Sequence, residues 1–194
     1  MLKYLYETQK NKLDHINTIH LYNVTQYMNL DINARRNLEI TEKLRDKSKK
    51  GTLLWVLDKT STSMGGRLLR RWLNDPLVDC KKINERLEAV KELKDNVILR
   101  GEIIELLKKV YDVERLAGKI SYGSANARDL ISLKNSAKQL PDIKKVISET
   151  KSKYLRSLYE ELDTLDDVYK VIDDAIVEEP PLGVKEGGLI KLGY

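Results

Sequence analysis

Apolar residues recur at steps of three and four through the second half of the chain, with turn residues at the breaks, as in a succession of amphipathic helices. Ile83, Leu87, Val90 and Leu93 share one face of a helix predicted over about residues 81–94, and Asp79 stands where its cap belongs. Ile98, Ile103, Ile104, Leu107 and Val110 form a second stripe. Val113, Leu116, Ala117 and Ile120 form a third, which ends near Gly123. Leu130, Leu133, Ala137 and Leu140 continue the pattern to Pro141, which lacks a backbone N–H and should restart the chain as a short helix over about 142–148. From Ser152 to Glu179, the residues Leu155, Leu158, Leu162, Leu165, Tyr169, Ile172 and Ile176 trace a coiled-coil seam. Thr164 with Asp167 approximates a capping box, however, and Asp163 and Asp166 add negative charge at a helix start. Two consecutive helices with a break near Asp163 or Thr164 are therefore predicted.

The first eighty residues are less regular. The segment to about Leu13 reads as the tail of a helix. Ile19, Leu21, Tyr22, Val24 and Tyr27 suit extended chain, so a short strand or hairpin is expected near residues 18–30. Asp31 caps a helix of two to three turns, and the polar run 43–50 is an exposed connection and a candidate mobile loop. Leu53, Leu54, Val56 and Leu57 predict a short helix too apolar to be exposed. Thr60 to Ser63 cap the next helix, which should bury Leu68, Leu69, Trp72 and Leu73 and stop at Asn74, Asp75 and Pro76. Trp55 and Trp72 fall on the buried faces of these two neighbours.

Composition narrows the class. With 194 residues, 41% hydrophobic and 34% charged, and only 10 Gly and 4 Pro, the chain can bury a core and suits helices rather than a sandwich of short strands. The expected fold is all-α. No apolar run approaches the ~20 residues that cross a bilayer, so a soluble, cytoplasmic protein with no membrane partner is expected. Cys80 is the single cysteine, and with His15 and His20 it cannot complete a zinc site. The net charge of +5 is uneven. Residues 1–150 carry 29 Lys or Arg against 20 Asp or Glu, while residues 151–194 carry 6 against 10. A basic body favours a polyanion such as DNA, although lysines and arginines at helical spacing also make an ordinary solvated face.

Candidate chemistry is sparse. Arg67, Arg70 and Arg71 form a basic edge that could touch DNA or pair with carboxylates such as Asp75 and Asp79. Arg35, Arg36 and Asn37 suit either a network that pins the connection between domains or an exposed helix face. Gly65 and Gly66, at a helix start, favour close packing of two helices over phosphate binding. No GxxxxGK[ST] loop is present to seat ATP, and neither histidine sits in a nucleophile-plus-base set with Ser61 or Ser63. Catalysis, metal and cofactor are not expected in this chain.

Several stretches, in order along the chain, carry a more specific signal: YLYETQK at 4–10, DINARRNLEI at 31–40, LLWVLDKT and GGRLLRRWL between 53 and 73, VYDVERLAGKISYG at 110–123, NARDL at 126–130 and EEPPLGVKEGGLI at 178–190. Together they resemble the core and lever region of the MutS family of DNA mismatch repair proteins. Small departures stand at Ala34, Ser124 and Leu192. The resemblance implies a multi-helix core and lever bundle: a helical lead-in from a preceding connector domain (1–17), a helical core (18–150), lever helices (151–179) and the truncated start of the clamp connection (180–194). It also implies a structural fragment that transmits conformational change between the DNA-binding and ATPase ends of a mismatch-recognition ATPase. For the full-length protein the resemblance implies ATP and magnesium as cofactors, duplex or mismatched DNA and a second copy as partners, and a possible MutL-type partner. The Phe-x-Glu wedge that reads mismatches in this family cannot be here, because the chain has no phenylalanine. A MutS-related protein acting on other DNA structures and an autonomous helical adaptor that binds a protein partner are the alternatives. A fragment cut from such a lever should expose apolar surface and self-associate through 152–179 or 182–194.

Overall fold

A computed structural model describes residues 26–181 and 183–194, together with Tyr4, Glu7 and Thr8 of the opening segment. The expected strand or hairpin lies mostly outside the described residues, as do His15 and His20. Of that segment, Tyr27 forms an isolated antiparallel bridge with Leu77, fifty residues on, framed by hydrogen bonds from Met28 N–H to Pro76 O (2.8 Å) and from Val78 N–H to Gln26 O (3.2 Å). Ten α-helices follow and no sheet forms among the described residues, so the all-α class holds. None of these helices is long and apolar enough to cross a membrane.

Helix starts fall where side-chain oxygens can accept the free backbone N–H groups of a first turn. Asp31 caps α1 (Ile32–Asn37), Thr52 caps α2 (Leu53–Leu57), Thr62 caps α3 (Ser63–Asn74) and Asp79 caps α4 (Cys80–Asp95). Asn96 ends α4 and caps α5 (Val97–Leu107), and Asp112 caps α6 (Val113–Ser121). Helix α6 stops at Gly123, whose φ of +72° suits glycine. Asn126 and Asp129 form a capping box at the start of α7 (Ala127–Ala137), and Pro141 sits in the first turn of α8 (Leu140–Ile147), where its missing N–H costs nothing. The seam from Ser152 to Glu179 is two helices, α9 (Lys153–Glu161) and α10 (Asp166–Ala175), with the break at residues 162–165. The expected capping box differs in detail. Thr164 pairs with Asp166 rather than Asp167, and Leu165 occupies the cap position with φ +53°.

The helices pack in two groups. Helix α4 packs on α5 and α9, and α8 packs on the same two, closing a ring whose buried residues include Ala89, Ile143, Ile147 and Leu155. In the second group α7 packs between α6 and α10 around Leu116, Leu133 and Ile172, with Val113, Leu130, Val168 and Ile176 against them. Contact between α7 and α8 joins the groups. Beyond α10 the chain turns back through a short 3-10 turn (Val184–Glu186), and Ile190 bridges to Ile176.

Several predicted faces are corrected. Of α2, only Leu54 is buried; Leu53, Trp55, Val56 and Leu57 are each about half exposed, Trp55 at 50%. On α3, Leu68 is exposed while Leu69, Trp72 and Leu73 are half-buried, and Arg86 of α4 lies 3.7 Å over the Trp72 ring. On α4, Ala89 is the buried residue and Leu87 and Val90 face outward; Ile98, Ile104 and Ile120 of the next two stripes are also exposed. The apolar steps located these helices correctly, but the facing element decides which flank of a stripe is covered. The seam from Ser152 to Glu179 divides in the same way. Ile172 is buried against α7, whereas Leu158 is 42% exposed.

Leu133→Ala and Ile172→Ala should each cost roughly 2–5 kcal/mol in urea unfolding, because each empties a closed core. Trp55→Ala should cost less than about 1 kcal/mol, as for other exposed positions. Comparable losses at Trp55 and Ile172 would show that α2 is covered after all.

Candidate functional site

One tie between the first half of the chain and the second is a guanidinium. Arg67 leaves the first turns of α3 and meets Asp112, the residue that caps α6. Its two terminal nitrogens donate to both carboxylate oxygens at 2.7 Å, the parallel two-bond geometry that suits arginine. Its Nε also donates to Glu114 at 3.1 Å. Asp112 is the more enclosed partner, with 16% of its side chain exposed against 66% for Glu114. The Arg67 hydrogen bonds, helped by the Arg115 N–H, hold the Asp112 carboxyl down at about 2, and both acids raise the Arg67 pKa. Arg67 thus takes the carboxylate-pairing role rather than presenting a free cation.

Arg70 and Arg71, on the exposed side of α3, make no ion pair among the described residues. Arg70 lines a cleft of about 510 Å³ between α2 and α3, together with Lys49, Trp55, Asp58 and Lys59. The glycines beside it serve a loop rather than a second helix. A Cβ on Gly65 would come within 3.1 Å of Thr62 Oγ1 and 3.3 Å of Thr60 Cβ, and one on Gly66 within 3.3 Å of Thr60 Oγ1. Close approach is confirmed, but the partner is the 58–62 turn folded over the start of α3. The Gly65 N–H is taken by Thr62 Oγ1 and the Gly66 N–H by the Thr62 carbonyl, so neither is offered to a phosphate.

Of the second candidate set, Arg35 donates to Asp75 at 3.1 Å and to the Leu30 carbonyl at 3.0 Å, joining α1 to the end of α3. Arg36 and Asn37 are exposed and make no side-chain hydrogen bond among the described residues. The set is therefore one linking arginine beside two exposed neighbours.

Three further joints have no local signature. Glu92 of α4 accepts the backbone N–H groups of Lys151 and Ser152 at 2.7 Å each, and so caps α9 from a different helix. Burial pushes this carboxyl up, but the two N–H donors outweigh it and its pKa is lowered. Lys153 adds an ion pair to Glu85 at 2.7 Å. Lys134 of α7, with 8% of its side chain exposed, pairs with Asp173 of α10 at 3.0 Å, which lowers the Asp173 pKa. Asp129 and Asp112 were open to sequence reasoning as helix caps, whereas the partners of Arg67, Glu92 and Lys134 stand 39 to 60 residues away. These groups can position helices and screen charge. None forms a nucleophile with an oriented base.

Comparison with known proteins finds relatives along the whole chain. A family model described as MutS domain III matches residues 33–192. Over all 194 residues the chain is 52% identical to the DNA mismatch repair protein MutS of Alkaliphilus oremlandii, 53% to that of Acetivibrio thermocellus and 54% to that of Ruminiclostridium cellulolyticum. It spans 22% of the length of each.

The Arg67–Asp112 joint makes a pH prediction. An aspartate is ordinarily near ~3.9, so a folded value of about 2 contributes stability above pH ~4 that is lost as pH falls toward 2. Asp112→Asn keeps a capping oxygen and removes the charge. Its stability deficit in urea melts should be full at pH 6 and shrink between pH ~4 and ~2. A deficit that stays constant with pH would show that the charge contributes nothing.

Proposed function

Since the chain belongs to the MutS domain III family, we propose that it is the structural core and lever of a DNA mismatch repair protein, carrying conformational change between DNA-binding and ATPase ends. The observation that best supports this reading is the way the helices of residues 151–179 are held. Helix α9 is capped and ion-paired by α4, and α10 is ion-paired to α7, so each group of helices grips one half of the lever. Movement of one half must then displace the group bound to the other. DNA, a second copy and a MutL-type protein are partners of the complete assembly under this reading, while the segment itself is not an enzyme. ATP with magnesium does not fit these residues. The chain has no GxxxxGK[ST] loop, and the N–H groups of Gly65 and Gly66 are already bonded.

Coupling can be tested by grafting this segment, with Asp173→Lys, into the Alkaliphilus oremlandii relative in place of the matching 22%. Mismatch binding and basal ATP hydrolysis should each persist while ATP no longer alters mismatch binding, and the paired reversal with Lys134→Asp should restore the response. An unaltered ATP response in the single variant would refute the lever role.

For the segment alone, duplex DNA should bind weakly, with affinity falling steeply from 50 to 200 mM salt, because only dispersed cations such as Arg70 and Arg71 are offered. Matched and mismatched duplexes should titrate alike. A clear mismatch preference would contradict a core-and-lever assignment.

A further inference from the structure

A cleft of about 1350 Å³ runs from the end of α4 along α5 to α8 and the turn after it. Among polar neighbours, the half-buried Leu99, Leu106 and Val146 form an apolar patch within it, and Ile98 stands at its edge 77% exposed. Helix α5 is rich in apolar residues, and its side toward the cleft carries Ile98, Leu99 and Leu106 beside Glu102 and Glu105. The lining holds six carboxylates against two lysines, Lys145 and Lys151, in a chain whose net charge is +5. Two of the six are engaged, Glu105 by Lys108 and Glu92 by the backbone of α9. Asp95, Glu102, Asp142 and Glu149 are exposed and make no ion pair among the described residues.

We infer that this cleft is a docking groove for a basic amphipathic helix of a protein partner, with leucine-type side chains on its floor and lysine or arginine against Asp95, Glu102, Asp142 and Glu149. Nucleic acid is repelled by the rim. A second copy of this chain is a poor occupant, because its own basic helix, α3, turns Leu69, Trp72 and Leu73 into its own fold and commits Arg67 to Asp112. Helix-in-groove recognition needs an apolar floor for anchors spaced at three and four, and complementary rim charge then sets orientation and choice of partner.

The test titrates the 194-residue chain against a labelled three-turn helical peptide with leucines at three- and four-residue spacing and lysines elsewhere, and against the same peptide with glutamates for lysines. The lysine peptide should bind saturably at one to one and the glutamate peptide should not. Glu102→Lys with Glu149→Lys should weaken binding by roughly tenfold, a few rim pairs being lost and reversed. Ile98→Ser should weaken it several-fold without unfolding the chain. Glu88→Lys with Asp174→Lys, which changes net charge equally at exposed positions outside the groove, should leave binding unchanged. Binding that is absent, indifferent to the groove variants or equally reduced by the control pair would overturn the inference. So would sedimentation showing a dimer that Ile98→Ser dissolves, since the groove would then serve a second copy.

Discussion

The seat of α10 on α7 is the contact on which the second half of the molecule depends. Consecutive residues of one helix meet consecutive residues of the other, Leu133 packing in a common core with Ile172 and Lys134 pairing with Asp173. The apolar contact supplies attraction and has little sense of register. The buried ammonium supplies the register, because a charge removed from water must find an opposite charge and Asp173 is the one within reach. Once α10 is fixed, the chain beyond it follows. Lys191 donates to the Asp173 carbonyl and Arg128 of α7 to the Pro180 carbonyl, drawing the returning tail against the same helix pair.

Glu92 and Asp112 show a related economy, in which the group that satisfies a helix start also sets tertiary position. The first N–H groups of any α-helix lack partners within the helix. Ser152 precedes α9 yet provides no side-chain cap, and Glu92 of α4 accepts the N–H groups of Lys151 and Ser152 instead. Asp112 caps its own helix and at the same time receives Arg67 from α3. In both cases local helix formation and long-range docking reinforce each other.

This dual use explains how much of the molecule was legible in its sequence. Helix positions followed from apolar spacing and from caps that act within three residues, so Asp31, Asp79, the stop at Gly123 and the restart at Pro141 were readable, as was the break after α9; the preceding helix ends at Ala137, before the proline, rather than running to it. Facing directions were less so. The LLWVL run looked buried because a local pattern has no term for what lies opposite, and α2, touching little beyond α3, leaves Trp55 half exposed. The arginine candidates divided for the same reason. Arg35 and Arg67 became links because Asp75 and Asp112 are brought to them by the fold, while Arg36 and Arg70, chemically identical, met no carboxylate.

The break between α9 and α10 bears on how such a framework could act as a lever. A loose linker there would absorb displacement, but this one is tied to α8 at Leu162 and bonded within its own turn at Asp163 and Thr164. The Leu162 carbonyl accepts Lys144 Nζ at 2.6 Å, Asp163 accepts the Leu165 N–H at 2.9 Å, and Thr164 donates to Asp166 at 2.9 Å. Leu165 is held at φ +53°, a conformation that costs a branched side chain of order 1–2 kcal/mol and persists only where its surroundings impose it. The bend is therefore a defined turn rather than an open connection. Glu92 and Glu85 tie α9 to α4 on one side of the bend, and Asp173 ties α10 to α7 on the other. Under the proposed lever role, transmission would run through this bend and the ion pairs at either side of it.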